Sequence, residues 1–232
     1  MVQGSSTIKP RKALSRALPP KALAKKREIL EAASRVFRRQ GLYATRMRDI
    51  AAEIGMQVGN LYYYFENRQE LLAFCQRDAL EGLLDLAAWV ERQELPASGK
   101  LYLLVLGHVV HVNEGTPGSL AHLEVEALEA AWRKRLQGRR DEYEAALRRV
   151  IADGIAEGVF RPVDSKTAVL AILGAVNWTV KWFRPEGAKS ARSIGEEFAE
   201  QMVRGLLADG AELEVPALEL PELPQPDVGD FE

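Results

Sequence analysis

The sequence predicts an all-α protein, with a three-helix helix-turn-helix domain near the N-terminus and a larger helical bundle after it. Three observations carry this. Apolar residues recur at spacings of three and four from Lys21 almost to residue 208, and no segment alternates as a strand would. Glycine and proline clusters cut the chain into helix-length pieces. The second and third pieces are separated by a short turn beginning at Gly55, the spacing of a helix-turn-helix.

The elements follow in order. Ile29, Ala32, Ala33, Val36 and Phe37 form the first apolar stripe, and Gly41 is a natural stop. Thr45 is suited to be the N-cap of the second helix. Met47, Ile50, Ala51 and Ile54 give its buried face, and Gly55 ends it. After Met56–Gln57 comes a third helix holding three consecutive tyrosines. A long amphipathic stretch covers about 67–93. Turn signals at Leu95–Gly99, Gly115–Gly118, Gly158–Asp164 and Pro185–Ser190 then leave candidate helices at about 100–114, 119–131, 133–157, 165–183 and 191–208. This divides the chain into a basic flexible arm (1–21), a helix-turn-helix domain (22–68), a bundle (69–208) and an acidic disordered tail (209–232).

With 232 residues, 47% of them hydrophobic, the chain can bury a substantial core. No apolar run approaches the ~18–20 residues that span a bilayer. The basic start has no apolar signal region. The single cysteine, Cys75, rules out an intrachain disulfide and a cysteine zinc cluster. A cytoplasmic protein without a membrane partner is expected, and no cofactor is called for.

The net charge of −2 conceals an asymmetry. Residues 1–27 carry eight cations and no acid, whereas 209–232 carry eight acids and no base. The basic arm could track a polyanion or be merely solvated. The proline-rich acidic end reads as disordered.

The stretch GNLYYYFENRQELL, residues 59–72, carries the chemistry. On a helix Leu61 and Phe65 share one face; Tyr62 and Tyr64 lie about 80° to either side, and Tyr63 points away. The outward face is then Gly59, Asn60, Tyr63 and the hydroxyl ends of Tyr62 and Tyr64. Gly59 lets a phosphodiester backbone approach closely. Asn60 can serve a base edge or a phosphate, and tyrosine hydroxyls can donate to phosphates from rigid rings. Thr45, Arg46 and Arg48 at the second helix and Arg68 at the fourth can reach flanking phosphates. Residues 9–68 hold 14 basic and 5 acidic side chains, the footprint of a domain that meets DNA. The alternative is a small bundle whose tyrosines pack against the neighbouring domain, with Tyr62 doing so in part.

Residues 41–72, GLYATRMRDIAAEIGMQVGNLYYYFENRQELL, resemble the DNA-binding domain of the tetracycline-repressor (TetR) family of bacterial regulators. Gly41, Thr45, Ile50–Ala51, Gly55, Gly59, Leu61–Tyr62, Phe65 and Leu71–Leu72 sit at family positions. The resemblance implies that Thr45, Arg46, Gln57, Val58, Gly59, Tyr62, Tyr63, Tyr64 and Arg68 touch DNA, mostly at phosphates. The chain departs from the pattern at Met56–Gln57–Val58, where small or basic residues are common, and at Asn60, where Thr or Ser is usual.

For the rest of the chain the resemblance implies a ligand-binding bundle that dimerises through its last two helices. The residues support this independently. Ile194, Phe198, Met202 and Leu206 form a stripe, and 168–176 is apolar nearly all round, as suits a core or a partner subunit. EGVFRPVD (157–164), ILGAVNWTVKWFRPEG (172–187) and FAEQMVRGL (198–206) look like the branch that senses acyl-CoA thioesters and represses lipid-breakdown genes. Such an effector needs an apolar tunnel and cations for its phosphates. Leu103, Leu104, Leu106, Leu123, Leu128, Trp178 and Trp182 are tunnel candidates. Arg135 and Arg139 lead a cation set that also includes Arg133, Lys134, Arg140, Arg148, Arg149, Lys181 and Arg184. The expectation is a homodimeric repressor of a palindromic double-stranded operator, released by a small hydrophobic effector, acyl-CoA or else a drug or aromatic acid. A helical metal-dependent enzyme using His108 and His111, with His122 and Glu114 nearby, is the competing class; buried, hydrogen-bonded histidines are commoner. Cys75 reads as core.

Overall fold

The computed structural model describes residues 20–115 and 124–221. The cations Lys9, Arg11, Lys12 and Arg16, together with Leu123 and His122, lie outside them. The fold is all-α, as the periodicity required. In chain order the helices are α1 (Pro20–Gln40), α2 (Met47–Glu53), α3 (Val58–Tyr64), α4 (Arg68–Glu91), α5 (Ala97–Val110), α6 (Ala130–Ala156), α7 (Ser165–Trp182) and α8 (Ala191–Arg204).

Two cores share one long helix. The N-terminal core gathers Ile29, Ala33 and Phe37 of α1, Met47 and Ile50 of α2, Leu61 and Phe65, and the first half of α4 through Leu72, Phe74 and Leu80. The second half of α4, from Leu83 to Val90, belongs to the C-terminal core. One rigid rod therefore joins the two units, and Asn67 starts it by accepting a hydrogen bond from the Glu70 amide at 2.9 Å. In the C-terminal unit α5 is the centre, buried on nearly every face, with α4, α6, α7 and α8 around it. Its contact with α8 is close enough to need a glycine: a Cβ on Gly195 would sit 2.9 Å from Leu106 Cδ1 and 3.1 Å from its carbonyl oxygen. Asp164 and Ser190 cap α7 and α8 through their side chains.

Several boundaries differ from the sequence expectation. Thr45 is not the N-cap of α2. It is 2% exposed, its hydroxyl donates to the Gly41 carbonyl at 2.8 Å, and the cap falls to Arg46, whose amide donates to Asp49. The helix expected at 119–131 is, in its described part, a 3-10 turn over Val125–Ala127 followed directly by α6. α5 widens into a π-helical turn at His111–Gly115. α8 stops at Arg204, and the chain turns into an isolated antiparallel bridge between Phe160 and Leu207. The acidic tail is not free along its first half. Leu213 and Leu220 pack on the C-terminal core, Pro216 lies against Gly99 and Leu220 against Gly107. Spaced leucines and prolines between the acids give this segment something to bury, which its charge concealed.

Candidate nucleic-acid interface and buried pocket

The turn between α2 and α3 is fixed by backbone chemistry. Gly55 adopts φ +65, a left-handed conformation costly for other residues, and the Gly55 and Met56 amides close back on Ala52 and Ala51. α3 is thereby set across the domain with Leu61 and Phe65 inward, both 0% exposed. Each contributes about 1.5–3 kcal/mol of burial, which pins the rotation of the helix.

That rotation decides the outward face. Tyr63 is 84% exposed and Tyr62 48% exposed, and Gln57, Val58, Gly59 and Asn60 are exposed beside them. A Cβ on Gly59 would meet nothing within 4 Å, so no protein group fills that space. The tyrosine that leans onto the core is Tyr64, not Tyr62; its ring also braces Tyr63 edge-on, with centroids 5.2 Å apart. Between α3 and the start of α2 lies an open cradle of about 390 Å³ lined by Tyr43, Thr45, Arg46, Arg48, Val58, Tyr62 and Arg68. Arg46 and Arg48 are exposed there. Thr45 and Arg68 shape the cradle rather than stand out from it. The Arg68 guanidinium donates to the carbonyl oxygens of Thr45 and Leu42, at 3.2 and 2.5 Å. Tyr43, 70% exposed at the rim, is a residue the sequence reading missed; an exposed aromatic beside Thr45 was the available signal.

The expected ligand residues do not converge. Leu103 and Leu104 are packed core, and Leu128 belongs to the N-terminal core. Arg135 is exposed over Trp132, and Arg139 is held at the surface by Glu81 and Glu142. Trp178 and Trp182 are 61% and 43% exposed on α7, and the Trp182 ring lies beside Phe198 of α8, with centroids 6.4 Å apart. With apolar residues all round α7, periodicity could not say which face was buried.

The bundle instead holds a different pocket, of about 260 Å³, walled by α4, α5, α6 and α7. Polar side chains meet there. His108 lies with Nδ1 3.0 Å from the Tyr143 hydroxyl and Nε2 3.1 Å from Asn177 Oδ1. The Asn177 oxygen accepts, so Nε2 carries the proton and Tyr143 donates to Nδ1. Burial pushes the imidazole down to about 3, so it stays neutral. Arg140 lines the same pocket. Its Nη2 donates to the buried Gln76 side chain, while its Nη1 is buried with no hydrogen-bond partner among the described residues. Leu80 and Leu173 supply apolar wall.

Gln76 also leads outward, donating to the Glu124 carbonyl at 3.2 Å. The Glu124 carboxylate in turn faces the Tyr43 hydroxyl at 3.5 Å and pairs with Lys181. A polar chain thus runs from the pocket to the rim of the cradle. His111 is engaged elsewhere, its Nε2 3.1 Å from the Ala79 carbonyl oxygen. Among the described residues no group of His, Cys, Asp and Glu is placed to hold a metal ion. Nor is any described helix long and apolar enough to cross a membrane.

A helix-turn-helix with an exposed aromatic and amide face, flanked by arginines and carried on a separate helical bundle, defines a DNA-binding regulator. Residues 29–74 match the family of bacterial regulatory proteins described as the tetR family, and 94–206 match the tetracyclin repressor-like C-terminal domain. The chain belongs to the TetR family and is a transcriptional regulator, not an enzyme. It is 27% identical over 190 residues to the HTH-type transcriptional repressor KstR2 of Mycobacterium tuberculosis, covering 79% of this chain and 93% of that one. Among solved structures it resembles the TetR-family regulator PfmR of Thermus thermophilus, with 30% identity and a TM-score of 0.71 over 78% of this chain and 99% of PfmR. It also resembles AibR in complex with isovaleryl coenzyme A and operator DNA, with 25% identity and a TM-score of 0.68 over 79% of this chain and 98% of AibR.

Proposed function

We propose that the chain is the protomer of a homodimeric repressor that binds a palindromic operator and releases it when an acyl-CoA occupies the bundle. The observation that carries this is the pairing of an outward α3 face with a pocket in the bundle joined to it by α4 and by the Gln76–Glu124 chain. Gly59, Asn60, Tyr62 and Tyr63 enter the major groove with Gln57 and Val58. Arg46 and Arg48 take flanking phosphates. Tyr64 supports the ring of Tyr63, and Thr45 and Arg68 hold the start of α2 at the correct height.

Dimerisation uses α7 and α8. Leu170, Trp178 and Trp182 are exposed apolar side chains on α7, and an apolar groove of about 540 Å³ runs between α7 and α8 past Ile172, Met202 and Leu206. Large exposed apolar surface of this kind marks an interface. The named repressor KstR2 and the AibR complex with isovaleryl coenzyme A support the sign of regulation and the ligand class. At about 260 Å³ the pocket falls below the ~300–1,000 Å³ usual for a drug-sized ligand. It suits the acyl portion, leaving the nucleotide outside. Binding shifts a two-state equilibrium toward a spacing of the two α3 helices that misses adjacent major grooves.

The test is an operator obtained by in vitro selection and titrated by fluorescence anisotropy. A series from isovaleryl- to lauroyl-CoA should dissociate the complex, and free CoA should do so poorly. If the whole series leaves binding untouched while an aromatic acid or drug abolishes it, the acyl-CoA reading is wrong.

A further inference from the structure

Arg140 is half-buried, and its Nη1 is the one buried side-chain nitrogen among the described residues without a hydrogen-bond partner. An arginine cannot escape this by losing its proton, and an unpaired buried donor is costly. Its guanidinium is nevertheless held in place from the other side, where Nη2 donates to the fully buried Gln76. Arg140 lines the 260 Å³ pocket, so a ligand there can complete what the protein leaves unfinished.

The charge of the surroundings narrows the ligand. Asp141 and Glu144 line the same wall, the former accepting from Gln137 and the latter facing Arg148 at 3.6 Å. A neutral acceptor oxygen fits beside these two carboxylates without adding to their charge, and it would take a charge-assisted hydrogen bond from Nη1. The Tyr143 proton is committed to His108 and the His108 Nε2 proton to Asn177, which leaves Arg140 as the charged donor on this wall. Leu80 and Leu173 offer hydrocarbon contact beside the donor. An uncharged carbonyl next to an apolar chain is the chemistry this wall fits.

We infer that Arg140 reads the thioester carbonyl of the effector through Nη1, and so makes the pocket select acyl thioesters over carbonyl-free analogues. This rests on the acyl-CoA reading given above and assigns the residue and the atom that enforce it. The same guanidinium holds Gln76, whose amide holds the Glu124 carbonyl. A carbonyl that draws Arg140 toward itself therefore acts on the chain of contacts leading to Tyr43.

The experiment compares isovaleryl-CoA and octanoyl-CoA with isopentyl-CoA and octyl-CoA, the thioethers that keep chain and nucleotide but lack the carbonyl. Operator release by the wild-type protein should need about 10- to 100-fold less thioester than thioether, the worth of a hydrogen bond to a charged donor. In Arg140→Met, which keeps the length of the side chain and removes the donors, the two should become equal when each is measured against the variant's own effector-free operator affinity. Equal potency of thioester and thioether on the wild type overturns the role of Arg140 and leaves the acyl-CoA reading standing. Failure of both to release DNA overturns the two together. The wild-type comparison stands even if the methionine variant does not fold.

Discussion

The guanidinium of Arg68, at the first turn of α4, closes on the carbonyl oxygens of Leu42 and Thr45, more than twenty residues earlier in the chain. It ties the α1–α2 connection to the long helix that joins the two halves of the molecule. Arg68→Ala should cost about 2 kcal/mol in urea denaturation, since two charge-assisted bonds are lost. It should weaken operator binding as well, because the start of α2 is then free to shift. Arg68→Lys should restore only part, as one ammonium lacks the fork that reaches two separate carbonyls. Unaltered stability in Arg68→Ala would show that the loop holds without it.

Tyr63 makes no contribution to the core: it is 84% exposed and opposite Leu61 and Phe65. Tyr63→Phe should therefore leave the unfolding midpoint unchanged and weaken operator binding by about 0.5–1.5 kcal/mol, the net value of one hydrogen bond. An operator titration indistinguishable from wild type would remove Tyr63 from the phosphate contacts.

Glu124 bridges Tyr43 of the DNA-binding unit and Lys181 of α7. Coupling between sites is a free energy, read as the ratio of operator affinities without and with saturating effector. Glu124→Ala should shrink that ratio by about 0.5–2 kcal/mol, with effector affinity for the DNA-free protein nearly intact. The same ratio in mutant and wild type would mean that coupling runs through α4 alone.

Trp178 is 61% exposed on α7 in a single chain. If two copies pack through this face, Trp178→Arg should shift the sedimentation equilibrium toward monomer. Operator affinity should fall with it, since one α3 alone reads half a palindrome. A variant that sediments as a dimer with full affinity would move the interface elsewhere.

Acid stability follows from three buried groups. Burial pushes His108 down to about 3 and His111 down to about 4, against about 6.5 in an unfolded chain. Below pH 6.5 the unfolded chain takes up protons that the native fold refuses, so this stability is lost as the pH falls toward 4. Asp78 works the other way. Burial raises its carboxyl to about 6, so below that pH the native state gains a proton that the unfolded carboxyl does not. Between pH 6 and 4 two histidines oppose one aspartate, leaving a net loss of about 1.4 kcal/mol per pH unit. Urea midpoints should be lower at pH 5 than at pH 7, and the loss should be steeper in Asp78→Asn. Equal wild-type midpoints at the two pH values would mean that the histidines are not held neutral by burial.

The DNA-binding half was legible because its signals are local. The inward pair Leu61 and Phe65 fixes α3 at a period of 3.6, and Gly55 marks a left-handed turn that few other residues accept. The outward place of Tyr63 follows from those two facts alone. Local reasoning went astray at Thr45, where a good capping residue is instead buried with its hydroxyl turned back to Gly41.

In the regulatory half the sequence by itself determined that the segments are helical and that apolar surface exceeds what one face can bury. It did not determine which face goes inward. Trp178 and Arg140 show why. A tryptophan in an apolar run looks like pocket lining, and Arg140 is one of many similar cations between 133 and 184. Only the packing of α6 and α7 around α5 puts the tryptophan outside and leaves the Arg140 Nη1 buried and unpaired. Burial and hydrogen-bond satisfaction are properties of contacts between residues far apart in sequence, such as Gln76 with Arg140. No local period encodes them, so the tertiary structure alone decides where the pocket lies and which charge keeps an unpaired donor.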